Sequence, residues 1–218
     1  MKIYKIPKLP KPTFYLWWFC RIGLLGWGVF MFAKGHGVQF LQAIFGAIFM
    51  GLWDYFQLLG ARTFIARVPY SLQTKLNVFI FLGCVVGTSI NVFTSFEHID
   101  IPSHFYAGYL SACFGYELAV LLQNKRGELS PTLAAMFGFG IAMAILVGWE
   151  IYEFSMDQIH GLHLQMSWPD TDAGLIDTMW DFIIGAAGSL AGMFVTVFQK
   201  TGVIGKKRKE KRAKKSEA

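Results

Sequence analysis

Residues 149–192 read WEIYEFSMDQIHGLHLQMSWPDTDAGLIDTMWDFIIGAAGSLAG, two helix-forming segments joined by a polar loop. On the first segment, Glu150, Glu153 and Asp157 stand at positions i, i+3 and i+7, so one face of a helix carries all three carboxylates. The rest of both segments is apolar enough for a bilayer, where an ionised carboxylate is costly unless it is paired, hydrated or coordinated. These acids are therefore the first candidates for a function.

The composition of the chain is that of an integral membrane protein. Of its 218 residues, 54% are apolar and 17% are aromatic, and the mean hydropathy is +0.43. Soluble domains have about 45–50% apolar residues. The three cysteines, Cys20, Cys84 and Cys113, lie inside apolar segments at unrelated spacings, so we expect small packing residues and not a disulfide framework or a zinc site.

Six segments approach the length of about 20 residues that a helix needs to cross the hydrocarbon core. The predicted spans are roughly 14–33, 38–59, 76–95, 104–123, 131–154 and 175–198. The first span is expected to be retained, because Arg21 interrupts it and no signal-peptidase site of small residues follows. The predicted fold is an all-α, polytopic membrane helix bundle in one domain of residues 1–200.

The charges of the loops alternate from one side of the predicted membrane to the other. The basic side carries Lys2, Lys5, Lys8, Lys11, Arg62, Arg67, Lys75, Lys125 and Arg126. The opposite side carries Lys34 and the acidic residues Glu97, Asp100, Asp170 and Asp172. By the positive-inside rule, this pattern places both termini in the cytoplasm and the chain in the plasma membrane as a multi-pass protein.

Residues 201–218 form a basic tail on the predicted cytoplasmic side, for which we expect no regular structure. Residues 206–215 hold eight basic residues and one acidic residue. Such a tail is attracted to the anionic lipids of the cytoplasmic leaflet. Nucleic-acid binding is not expected, because no folded reading surface accompanies the tail.

Glycine occurs at spacings typical of close helix contacts in membranes. Gly83 and Gly87 form one GxxxG pattern, and Gly188 and Gly192 form another. In lipid, small residues allow the backbones of two helices to approach each other. Packing inside the bundle is the first expectation, and a homo-oligomer through GxxxG faces is the second.

The predicted topology places a set of polar residues in one layer at the outer face. The fourth span begins there, the fifth ends there and the sixth begins there. The candidate catalytic or metal-binding residues are His104, Glu150, Glu153, Asp177 and Asp181, with Asp100 and Asp157 in supporting positions and His160 and His163 in the adjoining loop. Because almost no cation lies near these acids, either several of them are protonated or a metal ion is present.

Three interpretations of this layer remain open. Carboxylates with an imidazole suit a divalent ion such as Mg, Mn or Zn, which could activate a water molecule as a nucleophile. Coupled carboxylates in a membrane also serve as proton or cation relays. The acids could instead cap helices and bind loop amides. The spacing of His160 and His163 does not match a strong ligand motif such as HExxH.

A second polar set lies in the predicted cytoplasmic half of the membrane. Arg21 is in the first span, Asp54 is near the inner end of the second, and Glu117 is in the inner half of the fourth. Their depths allow Arg21 to pair with one or both acids. We expect a buried pair that orients helices, with a transport path as the alternative.

Two segments within residues 97–192 resemble the YjdF-like family of bacterial inner-membrane proteins. The family pattern is D-x-x-x-H-F-x-x-G, then a helix ending E-x-x-E, then D-T-x-x-D followed by G-A-x-G. The matching residues here are Asp100, His104, Phe105, Gly108, Glu150, Glu153, Asp177, Thr178, Asp181, Gly185, Ala186 and Gly188. The same half is similar, more weakly, to VanZ-like envelope proteins. Both resemblances imply an envelope setting and support this choice of residues, and neither implies a particular reaction.

The leading hypothesis is therefore a membrane protein that binds a cation with these residues and acts on a lipid or lipid-linked envelope molecule. The residues do not decide whether it is an enzyme. A small ion- or proton-coupled transporter and a non-catalytic membrane scaffold are the alternatives. A hydrolase predicts a pocket that opens only toward the outer leaflet, whereas a carrier predicts a polar route to Arg21, Asp54 and Glu117.

Overall fold

The structure is a computed structural model, which describes residues 8–58, 68–89, 100–123, 129–161, 163–165 and 170–205. These residues form the long helices α1 (Lys11–Ala33), α2 (Gly37–Leu58), α3 (Tyr70–Phe81), α4 (Asp100–Gln123), α5 (Pro131–His160) and α6 (Ala173–Thr201). A π-helix, Leu82–Gly87, follows α3 without a break. Each helix, with the π-helix counted in the third, is long and apolar enough to span a membrane. The predicted all-α polytopic bundle is confirmed.

Proline and glycine set the two ends of α5. Pro131 is its first residue. Proline lacks a backbone N–H, but at the first position of a helix that N–H would have no partner within the helix, so no hydrogen bond is lost. The helix ends at Gly161, whose φ of 63° is left-handed and whose N–H donates to the Asp157 carbonyl at 2.8 Å. Because the cap comes this late in the chain, Asp157 lies on the helix together with Glu150 and Glu153.

Two predicted helix ends are wrong. α3 begins at Tyr70, directly after Pro69, and not near residue 76, so Lys75 lies in a helix and not in a loop. The first turn of α3 contains Gln73, a polar residue whose side chain is fully buried. α5 continues beyond residue 154 as far as His160, which therefore belongs to the helix and not to the loop.

Part of the predicted charge pattern lies outside the described residues, namely Lys2, Lys5, Arg62, Arg67, Glu97, Lys125, Arg126 and the tail at residues 206–218. The last part of the third predicted span, residues 90–95, lies outside them as well. Residue 201, which the prediction assigned to the tail, is the end of α6. The side of the membrane on which the termini lie therefore stays a prediction.

The chain divides into two compact units, residues 1–103 and residues 104–218. The first unit contains α1, α2 and α3, which pack around a core of Cys20, Leu24, Ala43 and Met50. Cys20 is thus a packing residue, as its apolar surroundings in the sequence predict.

In the second unit, α4 and α6 approach each other backbone to backbone. A Cβ added at Gly188 would overlap the carbonyl of Phe105 on α4, and one added at Gly108 would overlap the carbonyl of Gly185 on α6. The predicted packing role is confirmed for Gly188 and Gly192, whereas a Cβ added at Gly83 or Gly87 would meet no neighbouring helix among the described residues. The Gly188 face packs against α4 of the same chain, and the homo-oligomer through GxxxG faces stays a prediction.

Candidate functional site

The close approach of α4 and α6 brings a histidine and an aspartate together. His104 lies in the second turn of α4, and Asp181 lies in the third turn of α6. The distance from His104 Nε2 to Asp181 Oδ2 is 3.5 Å, and the two residues are only 7% and 5% exposed. Asp100, one turn earlier, lies on the same face of α4 as His104. Two predicted site residues are thus adjacent and removed from bulk solvent.

Two glutamates of α5 complete the group. One carboxylate oxygen from each of Glu150, Glu153 and Asp181 lies within 4.8 Å of the others. Glu150 is 5% exposed, and Glu153 accepts a hydrogen bond of 2.8 Å from Trp149 Nε1. The sequence-predicted residues Glu150, Glu153 and Asp181 therefore converge, and His104 lies beside Asp181. We call Glu150, Glu153 and Asp181 the acid group.

Glu150 is held in place by two neutral donors. Thr178 Oγ1 donates to its Oε2 at 2.9 Å, and Gln165 Nε2 donates to the same oxygen at 3.4 Å. Gln165 Nε2 also donates to Thr178 Oγ1 at 3.0 Å. A hydroxyl and an amide carry no net charge, so these bonds orient the carboxylate but do not neutralise it.

Asp157 binds the backbone of the loop that follows α5. Its two carboxylate oxygens accept hydrogen bonds from the backbone N–H groups of Leu164, at 2.5 Å, and Gln165, at 3.0 Å. These bonds hold residues 164 and 165 against the helix, and they place the Gln165 side chain beside Glu150. The supporting role predicted for Asp157 at the site stays a prediction.

Three other predicted residues stand apart from the acid group. Asp177 is one turn before Asp181 on α6, and within the described part of the chain it is not among the three carboxylates that converge. His160 and His163 are exposed to solvent. The imidazoles of His160, at the end of α5, and of His163 therefore do not join the buried residues.

The charge of this region is strongly negative. Between residues 127 and 199 the sequence holds eight Asp or Glu residues and no Lys or Arg. A buried carboxylate needs a positive partner, a hydrogen-bonded shell or a proton. Protonation, of a carboxylate or of His104, or a bound cation would each compensate the negative charge of the acid group.

The spacing of the oxygens suits a metal ion. Ligand oxygens lie about 2.1 Å from Mg²⁺ and about 2.4 Å from Ca²⁺, so two ligands on opposite sides of an ion are about 4.2–4.8 Å apart. The oxygens of the acid group meet this limit, because they lie within 4.8 Å of one another. His104 adds an imidazole nitrogen beside Asp181, and imidazole is a common ligand of Zn²⁺.

A pocket of about 350 Å³ lies beside the two side chains that bind Glu150. It is lined by Phe154, Gln158, Gln165, Thr171, Asp172, Gly174, Leu175 and Thr178. Gln165 and Thr178 thus border the pocket and bind Glu150 at the same time. The lining offers amide, hydroxyl and carboxylate groups and no Lys or Arg, so it suits a neutral or cationic polar group better than an anion.

The second predicted polar set forms two separate ion pairs. Arg21 Nη1 donates to Asp54 Oδ2 at 2.5 Å in the first unit, which confirms one of the two predicted partners. In the second unit, Glu117 accepts a hydrogen bond of 3.0 Å from Lys200 Nζ. The Lys200 ammonium also lies over the ring of Tyr116, 5.3 Å from its centroid. Glu117 thus has a partner that the sequence did not suggest.

Two residues of the site belong to no spacing or motif distinctive enough to identify them from the sequence. Gln165 is a single amide in a loop, and such residues are common in loops without any role. Thr178 lies between Asp177 and Asp181 in the segment that resembles the YjdF-like family. This position in the family pattern is the one sequence feature that could have identified it as a site residue. Both residues matter here because they donate hydrogen bonds to Glu150.

Comparison with known proteins identifies relatives but no activity. The family described as "Predicted membrane protein (DUF2238)" matches residues 15–202. An uncharacterised protein of Thermotoga maritima is 28% identical over 138 residues, which are 62% of this chain and 67% of that protein. No solved structure matches the chain. These matches agree with the resemblance to an uncharacterised family of membrane proteins.

Proposed function

Since the chain belongs to the membrane-protein family DUF2238, we propose a function from the chemistry of its own site: the acid group binds a divalent cation, with His104 as a further ligand. The cation and the adjoining pocket act together on the polar group of a lipid or lipid-linked envelope molecule. In this proposal the protein is a multi-pass protein of the plasma membrane, and the site faces the outer side.

The convergence of three carboxylates in a buried place is the observation that supports this proposal most strongly. Glu150 and Asp181 are both almost fully buried, and an oxygen of each lies within 4.8 Å of the other and of Glu153. Ionised carboxylates this close repel one another strongly where solvent is excluded. A divalent cation removes the repulsion, and carboxylate oxygens are the ligands that such hard ions prefer.

The pocket supports an action on a small polar group. Its volume of about 350 Å³ is at the lower end of ligand pockets, about 300–1,000 Å³. It can therefore hold a headgroup but not the acyl chains attached to it. Gln165 and Thr178 line the pocket and bind Glu150, so a bound group would be one side chain away from the acid group. When bound, the cation would polarise that group or activate a water molecule.

The packing of the second unit does not favour the transporter alternative. Below the acid group, α4 and α6 touch backbone to backbone at Gly188 and Gly108, and again where Gly192 meets the Tyr109 carbonyl. A polar route along this interface would require these contacts to separate. A binding or catalytic role at one end of the bundle needs no such change.

Metal binding tests the proposal directly. We expect purified full-length protein to bind Mn²⁺ at one site per chain, measured by titration with electron paramagnetic resonance detection of the free ion. Asp181→Asn and Glu150→Gln each remove a charged ligand oxygen. Each should therefore weaken the affinity by about 100-fold or more.

Glu117→Gln is a matched control, because it changes an acid of the same unit that is already bound by Lys200. This variant should bind Mn²⁺ like the wild type. If the wild type binds no Mn²⁺, or if Asp181→Asn binds it equally well, the metal site is disproved. If the site does bind Mn²⁺ as expected, competition by Mg²⁺ and Zn²⁺ would rank the affinities of the three ions.

Cysteine labelling tests the outward placement. α5 has 30 residues and is about 45 Å long, so Ser130 and Thr171 lie near opposite ends of the helix. In a cysteine-free background, a membrane-impermeant thiol reagent should label Thr171→Cys in intact cells, and Ser130→Cys only after permeabilisation. The reverse pattern would place the site on the cytoplasmic side and would contradict an action on outer-leaflet lipids.

A further inference from the structure

Two amide side chains on α3 are fully buried in the first unit. Gln73 and Asn77 are one turn apart and on the same face of the helix. Gln73 Nε2 donates to the Val68 carbonyl at 2.7 Å, and Asn77 Nδ2 donates to the Gln73 carbonyl at 2.8 Å. Because each nitrogen faces a carbonyl oxygen, each amide oxygen faces elsewhere. Both amide oxygens are buried and have no hydrogen-bond partner among the described residues.

Two buried donors in the same unit lack acceptors among the described residues as well. They are Arg21 Nε on α1 and Gln57 Nε2 on α2. The Arg21 guanidinium uses its other nitrogens for Asp54 and for the Met50 carbonyl. Buried polar atoms without partners are rare in folded proteins. Four such atoms in one small group of helices therefore point to a missing binding partner.

The Arg21 donor and the Asn77 acceptor lie at one level of the unit. Trp17 Nε1 donates to Thr74 Oγ1 at 2.9 Å, four residues before Arg21 and three before Asn77. The two helices run in the same direction from this contact, because their next contact lies further along both of them. Arg21 and Asn77 are therefore at the same level, about one turn beyond the Trp17–Thr74 bond.

The other donor and acceptor lie about one turn away from this level. α2 and α3 run in opposite directions, since Gln42 meets Thr88 and Gly46 approaches Ile80. On α2, Gln57 follows Asp54, the partner of Arg21, by three residues. On α3, Gln73 precedes Asn77 by four residues. Because the two helices are antiparallel, Gln57 and Gln73 both lie about one turn from the level of Arg21 and Asn77, on the same side of it.

We propose that ordered water molecules bind between α1, α2 and α3 at these two levels. A water molecule both accepts and donates hydrogen bonds, so it can bridge a donor and an acceptor that are too far apart to bond directly. Buried water molecules typically make about three hydrogen bonds to polar groups that have no other partner. The site takes water and not a cation, because Arg21 is positively charged and directs an N–H group into it.

These water molecules solvate the Arg21 guanidinium, which is otherwise removed from solvent inside the unit. They do not form a path through the unit. Beyond Asn77, α3 continues with Val78, Ile80 and Phe81, which pack on the apolar core. The site is therefore internal and closed at this end.

Radiolytic labelling tests the proposal on the purified full-length protein. Short X-ray pulses convert bound water into hydroxyl radicals, which oxidise only neighbouring side chains. Met50 and Met31 are both completely buried, but Met50 is the one whose carbonyl binds Arg21. We expect the oxidation of Met50 to exceed that of Met31 several-fold.

Asn77→Leu removes one acceptor of the site and leaves the backbone of α3 intact. It should reduce the oxidation of Met50 to that of Met31, and it should lower the melting temperature by roughly 3–8 °C. Gln42→Met changes an amide of the same unit outside the site and should leave the oxidation of Met50 unchanged. Equal oxidation of Met50 and Met31 in the wild type overturns the proposal. So does a melting temperature of Asn77→Leu at or above that of the wild type, which is the result expected when a dry, unpartnered oxygen is removed.

Discussion

Gly188→Ala is expected to destabilise the second unit by roughly 3–5 kcal/mol, enough to remove most of the folded protein. The added Cβ would overlap the backbone carbonyl of Phe105. A backbone group in a helix cannot move aside as the end of a side chain can, so α4 and α6 would have to separate. Separation loses the close van der Waals packing that holds helices together in lipid.

Two other glycines of the same unit make this experiment quantitative. A Cβ at Gly185 would meet the side chain of Leu146, which can adopt another rotamer, so Gly185→Ala should have a smaller effect. Gly148 has open space around it, and Gly148→Ala should match the wild type. The measurements are the monodisperse yield by fluorescence-detected size-exclusion chromatography and the melting temperature. Equal values for Gly188→Ala and Gly148→Ala would contradict the backbone contact.

The number of helices is predictable from sequence because a bilayer imposes a minimum length and a nearly apolar composition on each span. The ends are less predictable, since helices continue beyond the apolar segment wherever the next residues find partners. α3 starts six residues early because Gln73 is bonded inside the unit. α5 continues because Asp157 and the Gly161 cap are both satisfied by nearby backbone groups.

The candidate site is predictable to the extent that helical periodicity controls it. Glu150 and Glu153 share a face of α5, and the spacing alone shows this. Periodicity does not show that Asp157, on the same stripe, turns to the loop amides instead of the acid group. It places Asp177 on the same face of α6 as Asp181, but it does not show that Asp181 is the one that converges with Glu150 and Glu153.

Asp54→Asn is expected to destabilise the first unit by roughly 3 kcal/mol, and Arg21→Met is expected to cost less. The two side chains differ in burial, because that of Arg21 is 10% exposed and that of Asp54 is 43% exposed. Loss of the carboxylate charge leaves a buried guanidinium without a counterion. Loss of the guanidinium leaves a carboxylate that solvent can reach. The Met50 carbonyl and the Trp17 ring still contact Arg21, but neither carries a compensating charge.

The double variant Arg21→Met/Asp54→Asn should be close to Arg21→Met in stability, because neither variant contains a buried unpaired charge. Unfolding in mixed micelles, followed by tryptophan fluorescence, measures the three free energies. The pair of Glu117 and Lys200 is the matched comparison, since those side chains are 24% and 41% exposed. Glu117→Gln and Lys200→Met should each cost less than about 1 kcal/mol, as exposed ion pairs do. A larger loss for Arg21→Met than for Asp54→Asn would show that Arg21 contributes through its packing and not as a buried charge that needs Asp54.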